Sequence, residues 1–448
     1  MRTQTLSLLC HSLVFGIWYL VTPIPILASD SAHALLSTSL TSDLPYLRSL
    51  YTNLHANPEL SHLEEKTAAR VADELRSAGY QVTEKIGGHG VVAVLKSGPG
   101  PTVLLRTDLD ALPIKEQSGL PYASTKTQKD ITGDTVAVMH ACGHDMHMTC
   151  VLGAARFLAK HTNTFRGTVV IIGQPAEERG AGARAMLKDG LFTRFPKPDY
   201  CLALHVDSDA EAGKISYVPG YMLANVDMID ITVRGIGGHG AYPHTAKDPI
   251  VLAAQTILAL QTLVSREKPA GDPGVLTVGS IHGGTKHNII PDEVRLQLTL
   301  RTYSDSVRSN MIVGIKRVTR AMAVAAGMPE DRSPVVHLKE EEYTPATYND
   351  PQLTERWVSQ LEKVFGKENL IRDQPQMGGE DFGMYGRTED KIPICMLWLG
   401  SVPAERMRNG QPPPIHSPFY YPDPEPTIKT GVTALVVGVL DLLKRGGN

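Results

Sequence analysis

Metal-binding residue types are concentrated in the stretch MHACGHDMHM, residues 139–148, which holds a cysteine, three histidines and an aspartate. Cys142 and His144 are two positions apart, a spacing at which both side chains can bind one ion from a loop. Thiolate and imidazole together suit zinc and similar divalent ions better than calcium or magnesium. A polar loop or a group of structural histidines would also explain the stretch, and we expect supporting roles for His140 and His147. Further ligands elsewhere in the chain would distinguish a metal site from these alternatives.

Other ligand-type residues follow apolar segments that have the pattern of β-strands. TVLLRTDLD ends in Asp108 and Asp110, CLALHVD ends in His205 and Asp207, and ICMLWLG precedes a loop that reaches His416. In an open α/β sheet, sites form outside the carboxyl ends of parallel strands. Any one of these endings could be a solvated turn, but their joint occurrence with HACGHD predicts a single metal site.

The segment TVVIIGQPAEE ends in two adjacent glutamates, Glu177 and Glu178. One of them can bind metal while the other stays free to take a proton from the attacking water. An acidic turn that caps the following helix is the alternative interpretation. The ligand-type residues elsewhere in the chain favour the catalytic interpretation.

Strand-like and helical segments alternate over residues 33–223, and the strands are continuously apolar. This order predicts an α/β catalytic domain with a largely parallel sheet and helices on both faces. From residue 224 to 341 the order becomes β-α-β-β-α-β, which predicts an inserted ferredoxin-like α/β domain. We expect residues 342–448 to return to the first domain.

Residues 1–32 have the pattern of a secretory signal peptide. Arg2 precedes the apolar run LSLLCHSLVFGIWYLV, and small residues follow at Ala28 and Ala32. We expect cleavage near one of these alanines and export to the periplasm or the medium, with an uncleaved membrane anchor as the alternative. After cleavage we expect no stable membrane insertion, because no later apolar run is judged long enough to cross a bilayer.

Eight short motifs occur along the chain in the order RTDLDALPI, MHACGHDMH, GQPAEE, ALHV, GGHGAYPH, NIIPDEV, GGEDF and IHSP. In this combination the chain resembles the dinuclear metallo-amidohydrolases, the group that contains hippurate hydrolase, N-acyl-amino-acid amidohydrolases and plant auxin-conjugate hydrolases. That group lies within the wider aminoacylase and glutamate-carboxypeptidase family. The resemblance covers nearly all of the chain after the predicted signal peptide, and the cysteine in the second motif narrows it to the amidohydrolase branch.

The resemblance implies two divalent metal ions, of zinc, manganese, cobalt or nickel, held by Cys142, His144, Glu178, His205 and His416. It also implies that Glu177 acts first as general base and then as general acid. Asp108 would be a supporting carboxylate near the ligands, and we expect Asp145 to orient a neighbouring side chain.

The inserted domain is implied to act as a lid and as a platform for a homodimer. Within it, His239 is implied to reach the substrate or its oxyanion, in its own or in the neighbouring subunit's site. Asn288 and Arg301 are implied to contact the substrate, and Arg301 is the candidate partner of its carboxylate. Ordinary lid structure is the alternative for all three residues.

These features together predict metal-assisted hydrolysis of the amide bond of N-acyl-amino acids to a carboxylic acid and a free amino acid. The alternatives are a metallo-exopeptidase acting on small peptides, an amidase with Cys142 as nucleophile, and a non-catalytic receptor that keeps the cleft. The intact Glu177 argues against the receptor. A net charge of -3 without a Lys/Arg cluster argues against nucleic acid as a partner.

Overall fold

The computed structural model describes residues 29–410 and 412–444, so that most of the predicted signal peptide lies outside the described residues. Before residue 224 the elements are α1 (Ser29–His55), α2 (Glu65–Ser77), β1 (Gln81–Ile86), β2 (Gly90–Ser97), β3 (Thr102–Asp108), β4 (Thr127–Lys129), β5 (Thr135–Ala137), α3 (His144–Lys160), β6 (Gly167–Gln174), α4 (Gly182–Lys188), α5 (Leu191–Arg194), β7 (Tyr200–Glu211), β8 (Ile215–Tyr217) and β9 (Gly220–Leu223). Up to residue 341 they are β10 (Asp227–Arg234), β11 (Gly238–His239), α6 (Pro249–Thr262), β12 (Gly274–Gly283), β13 (Ile289–Ile290), β14 (Glu293–Thr302), α7 (Asp305–Ala325) and β15 (Val335–Leu338). The last elements are β16 (Thr347–Asn349), α8 (Pro351–Phe365), β17 (Leu370–Arg372), β18 (Ile394–Val402), α9 (Ala404–Arg408) and α10 (Pro424–Leu442).

Eight of these strands form one sheet, in the order β1-β2-β6-β3-β7-β18-β8-β17. The central strands β6, β3, β7 and β18 run parallel to one another, which confirms the predicted α/β class. Strand β2, the segment GVVAVL, is instead antiparallel to both of its neighbours. The short turn at residues 87–89 accounts for its antiparallel pairing with β1, since parallel strands need a much longer crossover.

Helices cover both faces of this sheet. Val103 and Leu105 belong to the core beneath α1, α2, α3, α8 and α10, whereas Leu104 belongs to the core beneath α4 and α5. Successive strand residues point to opposite faces, so a strand buried on both faces is apolar at every position. This explains the continuous apolar runs in the sequence.

The lid is a separate four-stranded sheet in the order β12-β14-β10-β15, with every pairing antiparallel. Helices α6 and α7 pack against it around a core of their own. This is the ferredoxin-like order expected from the sequence. The lid sheet spans Asp227–Leu338, and the domain boundaries at residues 224 and 341 stay predictions.

The segment Pro249–Glu267, formed by α6 and a turn of π-helix, is 19 residues long and apolar enough to cross a membrane by length and composition alone. By length and composition, this segment contradicts the expectation that no later apolar run is long enough to cross a bilayer. One side of this helix, with Leu252, Ala253 and Leu260, belongs to the lid core. Helices in the cores of soluble proteins commonly meet these two criteria of length and composition.

Candidate metal centre

The predicted ligands meet at the carboxyl edge of the central parallel strands. Glu177 and Glu178 follow the end of β6, and His144 is the first residue of α3. His205 lies inside β7 and not at its end, because β7 stays paired with β18 as far as Glu211. His416 comes from the loop between α9 and α10. Four separate segments therefore supply the site.

The Cys142 thiol lies at the centre of this cluster. Its Sγ atom is 3.5 Å from Nε2 of His205 and 3.2 Å from Nε2 of His416. The same His416 nitrogen is 3.5 Å from Oε1 of Glu178. Because metal–ligand bonds to sulfur and nitrogen are about 2.0–2.3 Å long, two donor atoms at these separations can share one ion.

His144 is the second residue around which possible metal-donor atoms gather. Its Nε2 atom lies 3.7 Å from Oδ2 of Asp108, 3.9 Å from Oε2 of Glu177 and 3.8 Å from Oε1 of Glu178. Cys142 belongs both to the donor group with His144 and His205 and to the donor group with Glu178 and His416. The cluster thus offers two adjoining positions for a cation.

Hydrogen bonds orient the free nitrogens of two histidines into the cluster. Nδ1 of His144 donates to the Asp110 carbonyl at 2.8 Å, and Nδ1 of His205 donates to the Val206 carbonyl at 2.8 Å. Each Nε2 therefore keeps a lone pair for a metal. His147 differs, because its Nδ1 donates to Asp108 at 2.8 Å and its Nε2 accepts the Val206 N–H at 2.9 Å. With both nitrogens occupied, His147 supports Asp108 and is not available as a ligand.

Two buried polar atoms of the cluster test whether a cation fits. Within the described residues, Nε2 of His144 and Oε1 of Glu178 are buried and have no hydrogen-bond partner. Such atoms are costly to bury unless something satisfies them. Burial, and then the charges of Glu178 and Glu177, raises the pKa of the Cys142 thiol well above its usual range. A bound cation would satisfy both atoms and favour the thiolate, so this donor set fits a divalent metal.

Backbone conformation places several of these side chains. Gly143 has φ +76°, and a Cβ atom there would lie 2.6 Å from Cγ2 of Val206, so only glycine fits between the two ligands of this loop. Ala176 has φ +49° and His416 has φ +65°, in the left-handed region that non-glycine residues rarely adopt. Strained residues of this kind cluster at functional sites, and here they orient Glu177 and the His416 ring.

Asp110, one of the ligand-type residues at the strand ends, supports the site through a role that the sequence did not predict. Its carboxylate accepts hydrogen bonds from the backbone N–H groups of Glu177 at 3.1 Å and Glu178 at 3.0 Å. It also accepts a hydrogen bond from Ser61 Oγ at 2.6 Å. Asp110 therefore fixes the turn that carries both glutamates. The sequence feature that pointed to Asp110 was its position as the second aspartate of RTDLD.

Glu64 supports the same turn from the N-terminus of α2. Its Oε1 accepts the N–H of Ala176 at 2.7 Å and that of His62 at 2.9 Å, and the side chain is buried. Burial, and then the charge of Asp110, raises the pKa of Glu64 to about 7. Glu64 therefore helps to hold the strained residue directly before Glu177.

A buried arginine, Arg106, forms ion pairs with three carboxylates on the Glu177 side of the cluster. Arg106 lies 2.6 Å from Asp108, 2.8 Å from Glu380 and 3.2 Å from Asp381. Burial, and then the charges of Glu380 and Glu178, raises the pKa of Glu177 well above its usual range.

Asp145 lies on the outer side of the ligand loop. Its Oδ2 accepts from Nδ1 of His55 at 2.6 Å, and the other nitrogen of His55 lies 3.0 Å from Glu116. Burial lowers the pKa of His55, but hydrogen bonds to Asp145 and Glu116 outweigh it and raise this pKa to about 9. Asp145 thus ties the first turn of α3 to α1.

Of the three lid residues predicted to contact the substrate, Arg301 lies near Glu380 and Asp381, on the Glu177 side of the metal cluster. Arg301 Nη1 lies 3.1 Å from the position that a Cβ would take on Gly379, next to Glu380. His239 is exposed and its Nδ1 accepts the Ala241 N–H at 3.0 Å. Asn288 is beside it, since its carbonyl accepts the Gly240 N–H at 2.9 Å. In the described chain neither residue hydrogen-bonds to the metal cluster, so their contact with substrate stays a prediction.

Comparison with known proteins gives a consistent result. Residues 104–437 match the model of peptidase family M20/M25/M40. The chain is 36% identical to hippurate hydrolase of Campylobacter jejuni over 334 residues, which cover 74% of this chain and 82% of that protein. It is 34% identical to thermostable carboxypeptidase 2 of Saccharolobus solfataricus, over 85% of this chain and 91% of that one. The solved structure of the Bacillus subtilis protein YXEP, described as a dinuclear metal-binding peptidase of the M20 family, is 27% identical with a TM-score of 0.71, and covers 89% of this chain and 98% of that one.

Proposed function

The chain belongs to peptidase family M20/M25/M40 and is a metal-dependent hydrolase of amide or peptide bonds, and we propose that its substrates are N-acyl-amino acids. The observation that carries the proposal is the pair of adjacent glutamates with different surroundings. Both glutamates lie near His144, but Glu178 also lies among the donor atoms of Cys142 and His416, whereas Glu177 also lies beside Glu380 and Asp381. One carboxylate can therefore bind metal while the other moves a proton.

We propose that two divalent ions, of zinc, manganese, cobalt or nickel, are held by Cys142, His144, Glu178, His205 and His416. Support comes from the two donor groups that share Cys142 and from the dinuclear relative. When bound, such ions polarise the scissile carbonyl and make water more acidic. The choice of metal is open in this donor set, since thiolate, imidazole and carboxylate accept several divalent ions.

In the proposed reaction Glu177 takes a proton from the attacking water, and the water oxygen forms a bond to the acyl carbon. Glu177 then gives that proton to the amine nitrogen as the amide C–N bond breaks. Asp110 and Glu64 hold the turn so that this carboxylate stays in place. His239 would donate to the developing oxyanion, and Arg301 would pair with the carboxylate of the substrate.

A panel of substrates tests this proposal. The metal-reconstituted protein should hydrolyse N-acetyl- and N-benzoyl-amino acids, lose this activity on chelation and regain it when metal is added back. Activity that survives chelation would instead support Cys142 as a nucleophile, which its raised thiol pKa disfavours. Turnover of none of these substrates would refute the proposal.

A metallo-exopeptidase is the second candidate, because a relative of similar identity is named a carboxypeptidase. Unblocked dipeptides in the same panel would distinguish the two candidates. A higher kcat/KM on dipeptides than on the matching N-acyl-amino acids would favour the exopeptidase.

We propose that the lid also forms a homodimer. Strand β12 is an edge of the lid sheet, and the adjoining helix α6 exposes the apolar side chains of Ile250, Val251 and Leu258. An unpaired edge beside an apolar surface is the usual ground for association. Light scattering should give twice the monomer mass, and Leu258→Asp should reduce it; a monomeric wild type would contradict this.

Export through an N-terminal signal peptide remains part of the proposal and rests on the pattern of residues 1–32. Expression of the full chain in a bacterial host should yield a product whose N-terminus lies near Ala28 or Ala32. An intact N-terminus on a protein that stays in the cytoplasm would contradict it.

A further inference from the structure

His55, in the last turn of α1, is a buried histidine that lies between two carboxylates outside the metal cluster. Its Nδ1 is 2.6 Å from Oδ2 of Asp145, and its Nε2 is 3.0 Å from Oε1 of Glu116. The side chains of all three residues are at most 1% exposed. The ring of Tyr122 packs edge-on against the His55 ring, with 5.4 Å between their centroids. A histidine with an acceptor at each nitrogen donates from both, so the imidazolium joins two segments of the chain.

The Asp145 end of this connection reaches the first ligand loop, residues 140–144, which carries Cys142 and ends at His144. Asp145 directly follows His144 in the first turn of α3, and its Oδ1 accepts the N–H of Met146 at 2.8 Å. One carboxylate oxygen is therefore bonded to the helix turn and the other to α1. This pairing fixes the start of α3, from which the His144 ring reaches the metal cluster.

The Glu116 end reaches the second ligand loop, residues 412–423, which carries His416. Glu116 also accepts the N–H of Ser124 at 2.6 Å, which closes its own loop around the carboxylate. The next residue, Gln117, donates its N–H to the Pro418 carbonyl at 2.8 Å. Glu116 therefore supports the segment to which the second ligand loop is hydrogen-bonded.

His416 depends on such anchors more than a buried ligand would. Its side chain is 51% exposed, and its backbone has φ +65°, which lies in the left-handed region. Side-chain packing therefore constrains this ligand only in part. The two ligand loops meet directly in the hydrogen bond from the His416 N–H to the Ala141 carbonyl at 2.8 Å. His55 adds a second connection between them, through Glu116 and Asp145.

We propose that His55 is a positioning residue that fixes the two ligand loops relative to each other. Through Asp145 it supports the ion position that includes His144. Through Glu116 it supports the ion position that includes His416. In the described part of the chain no hydrogen bond joins His55 to a proposed ligand, so its action is indirect. The inference rests on the two-metal centre of the proposed function.

The test is the dissociation constant of each of the two ions, measured by chelator competition with zinc as the probe metal. His144→Ala and His416→Ala assign the two constants to their positions, since each variant removes one ligand. Asp145→Asn should raise the constant of the His144 position by about 10–100-fold, the usual effect of losing a group that supports a ligand. Glu116→Gln should raise the constant of the His416 position by a similar factor. His55→Gln should raise both constants.

Glu74→Gln is the matched control. Glu74, on α2, is also a buried carboxylate that ties a helix to α1, since it accepts the Tyr46 hydroxyl at 2.6 Å. Its other partner, Arg70, belongs to α2 as well. This variant should therefore lose stability and keep both zinc constants. Circular dichroism should show that each variant is folded before zinc is added.

The outcomes separate this inference from the proposed function. Wild-type zinc constants in Asp145→Asn and Glu116→Gln would refute the role of His55 and leave the proposed function standing. An equal loss at both positions in every variant, the Glu74 control included, would show that stability alone sets the metal affinity. A wild type that binds fewer than two ions would refute the two-metal centre and this inference with it. If His55→Gln does not fold, the separate responses of the Asp145 and Glu116 variants still decide the question.

Discussion

Replacing Asp110 with asparagine should weaken metal binding and slow turnover. Asp110 is fully buried, and its two carboxylate oxygens accept the N–H groups of Glu177 at 3.1 Å and Glu178 at 3.0 Å. Asparagine keeps one acceptor oxygen, so its NH₂ group would face one of these donors. The turn that carries the general base and a metal ligand would then lose one of its anchors.

The expected magnitude follows from these contacts. A hydrogen bond to a charged group contributes about 1.5–3 kcal/mol, and a buried donor without a partner costs about 1–3 kcal/mol. Loss of a group that supports a metal ligand typically changes metal affinity or activity by about 10–100-fold. We therefore expect the metal dissociation constant of Asp110→Asn to rise, and its kcat/KM to fall, within that range.

Chelator competition gives the dissociation constant, and steady-state assays at saturating metal give kcat/KM. Asp441→Asn is a suitable control, because Asp441 on α10 is also buried but its carboxylate pairs with Arg356 of α8 at 2.6 Å. This control should lose stability and keep its metal affinity. If Asp110→Asn binds metal and turns over like the wild type, the assigned role of Asp110 is wrong.

Three further predictions concern neighbouring features. Arg106→Met should lower the free energy of unfolding by about 3–5 kcal/mol in denaturant titrations, because it leaves buried carboxylates without their partner. The stability difference between wild type and His55→Gln should depend on pH, since paired carboxylates outweigh burial and raise the pKa of His55 from 6.5 to about 9. A raised folded-state pKa means that the wild-type advantage, on the order of 3 kcal/mol, is complete below about pH 6.5 and is lost as the pH rises through about 9. Gly143→Ala should weaken metal binding, because its φ of +76° is unfavourable and its Cβ would lie 2.6 Å from Val206. Gly79→Ala has φ +98° with no atom within 4 Å, so it should cost only about 1–2 kcal/mol of stability and no metal affinity.

A specific outcome would contradict each of these three predictions. Wild-type stability of the Arg106 variant would mean that the surrounding carboxylates are protonated or solvated. A stability difference for the His55 variant that stays constant from pH 6 to 10 would contradict the charged state assigned to His55. Equal metal affinity of the two alanine variants would show that the close approach at Gly143 is not needed for the ligand loop.

The ligand-type residues were predictable because they lie next to strong local patterns. Asp108 ends one apolar strand, Glu177 and Glu178 follow another, and parallel strands bring their carboxyl ends to one edge. The lid was also visible in the sequence, since the strands of a half-exposed antiparallel sheet alternate between apolar and polar residues. For Cys142 and His144, spacing alone left the structural alternatives open, and it is the convergence with His205 and His416 in space that favours ligation.

Arg106 and Glu64, which also support the site, were not predictable, because their roles depend on contacts between distant segments. Arg106 contacts Glu380 across 274 positions of sequence, and Glu64 contacts Ala176 across 112. No local pattern reports such a pairing, although a buried arginine inside an apolar strand is unusual enough to be noticed. The antiparallel direction of β2 was missed for a different reason, since the hairpin with β1 depends on a short turn that was not recognised.

The role of Glu177 in proton transfer is tested by comparing the wild type with Glu177→Gln, each reconstituted with the same divalent metal. Metal content and kcat on N-acyl-amino acids are measured on the same samples. The variant should keep the metal-to-protein ratio of the wild type while kcat falls by about 10²–10⁴-fold, the usual contribution of general acid–base catalysis. Near-normal kcat in the variant would contradict Glu177 as the proton-transfer group. Loss of metal in parallel with activity would show that this glutamate is a ligand and not the base.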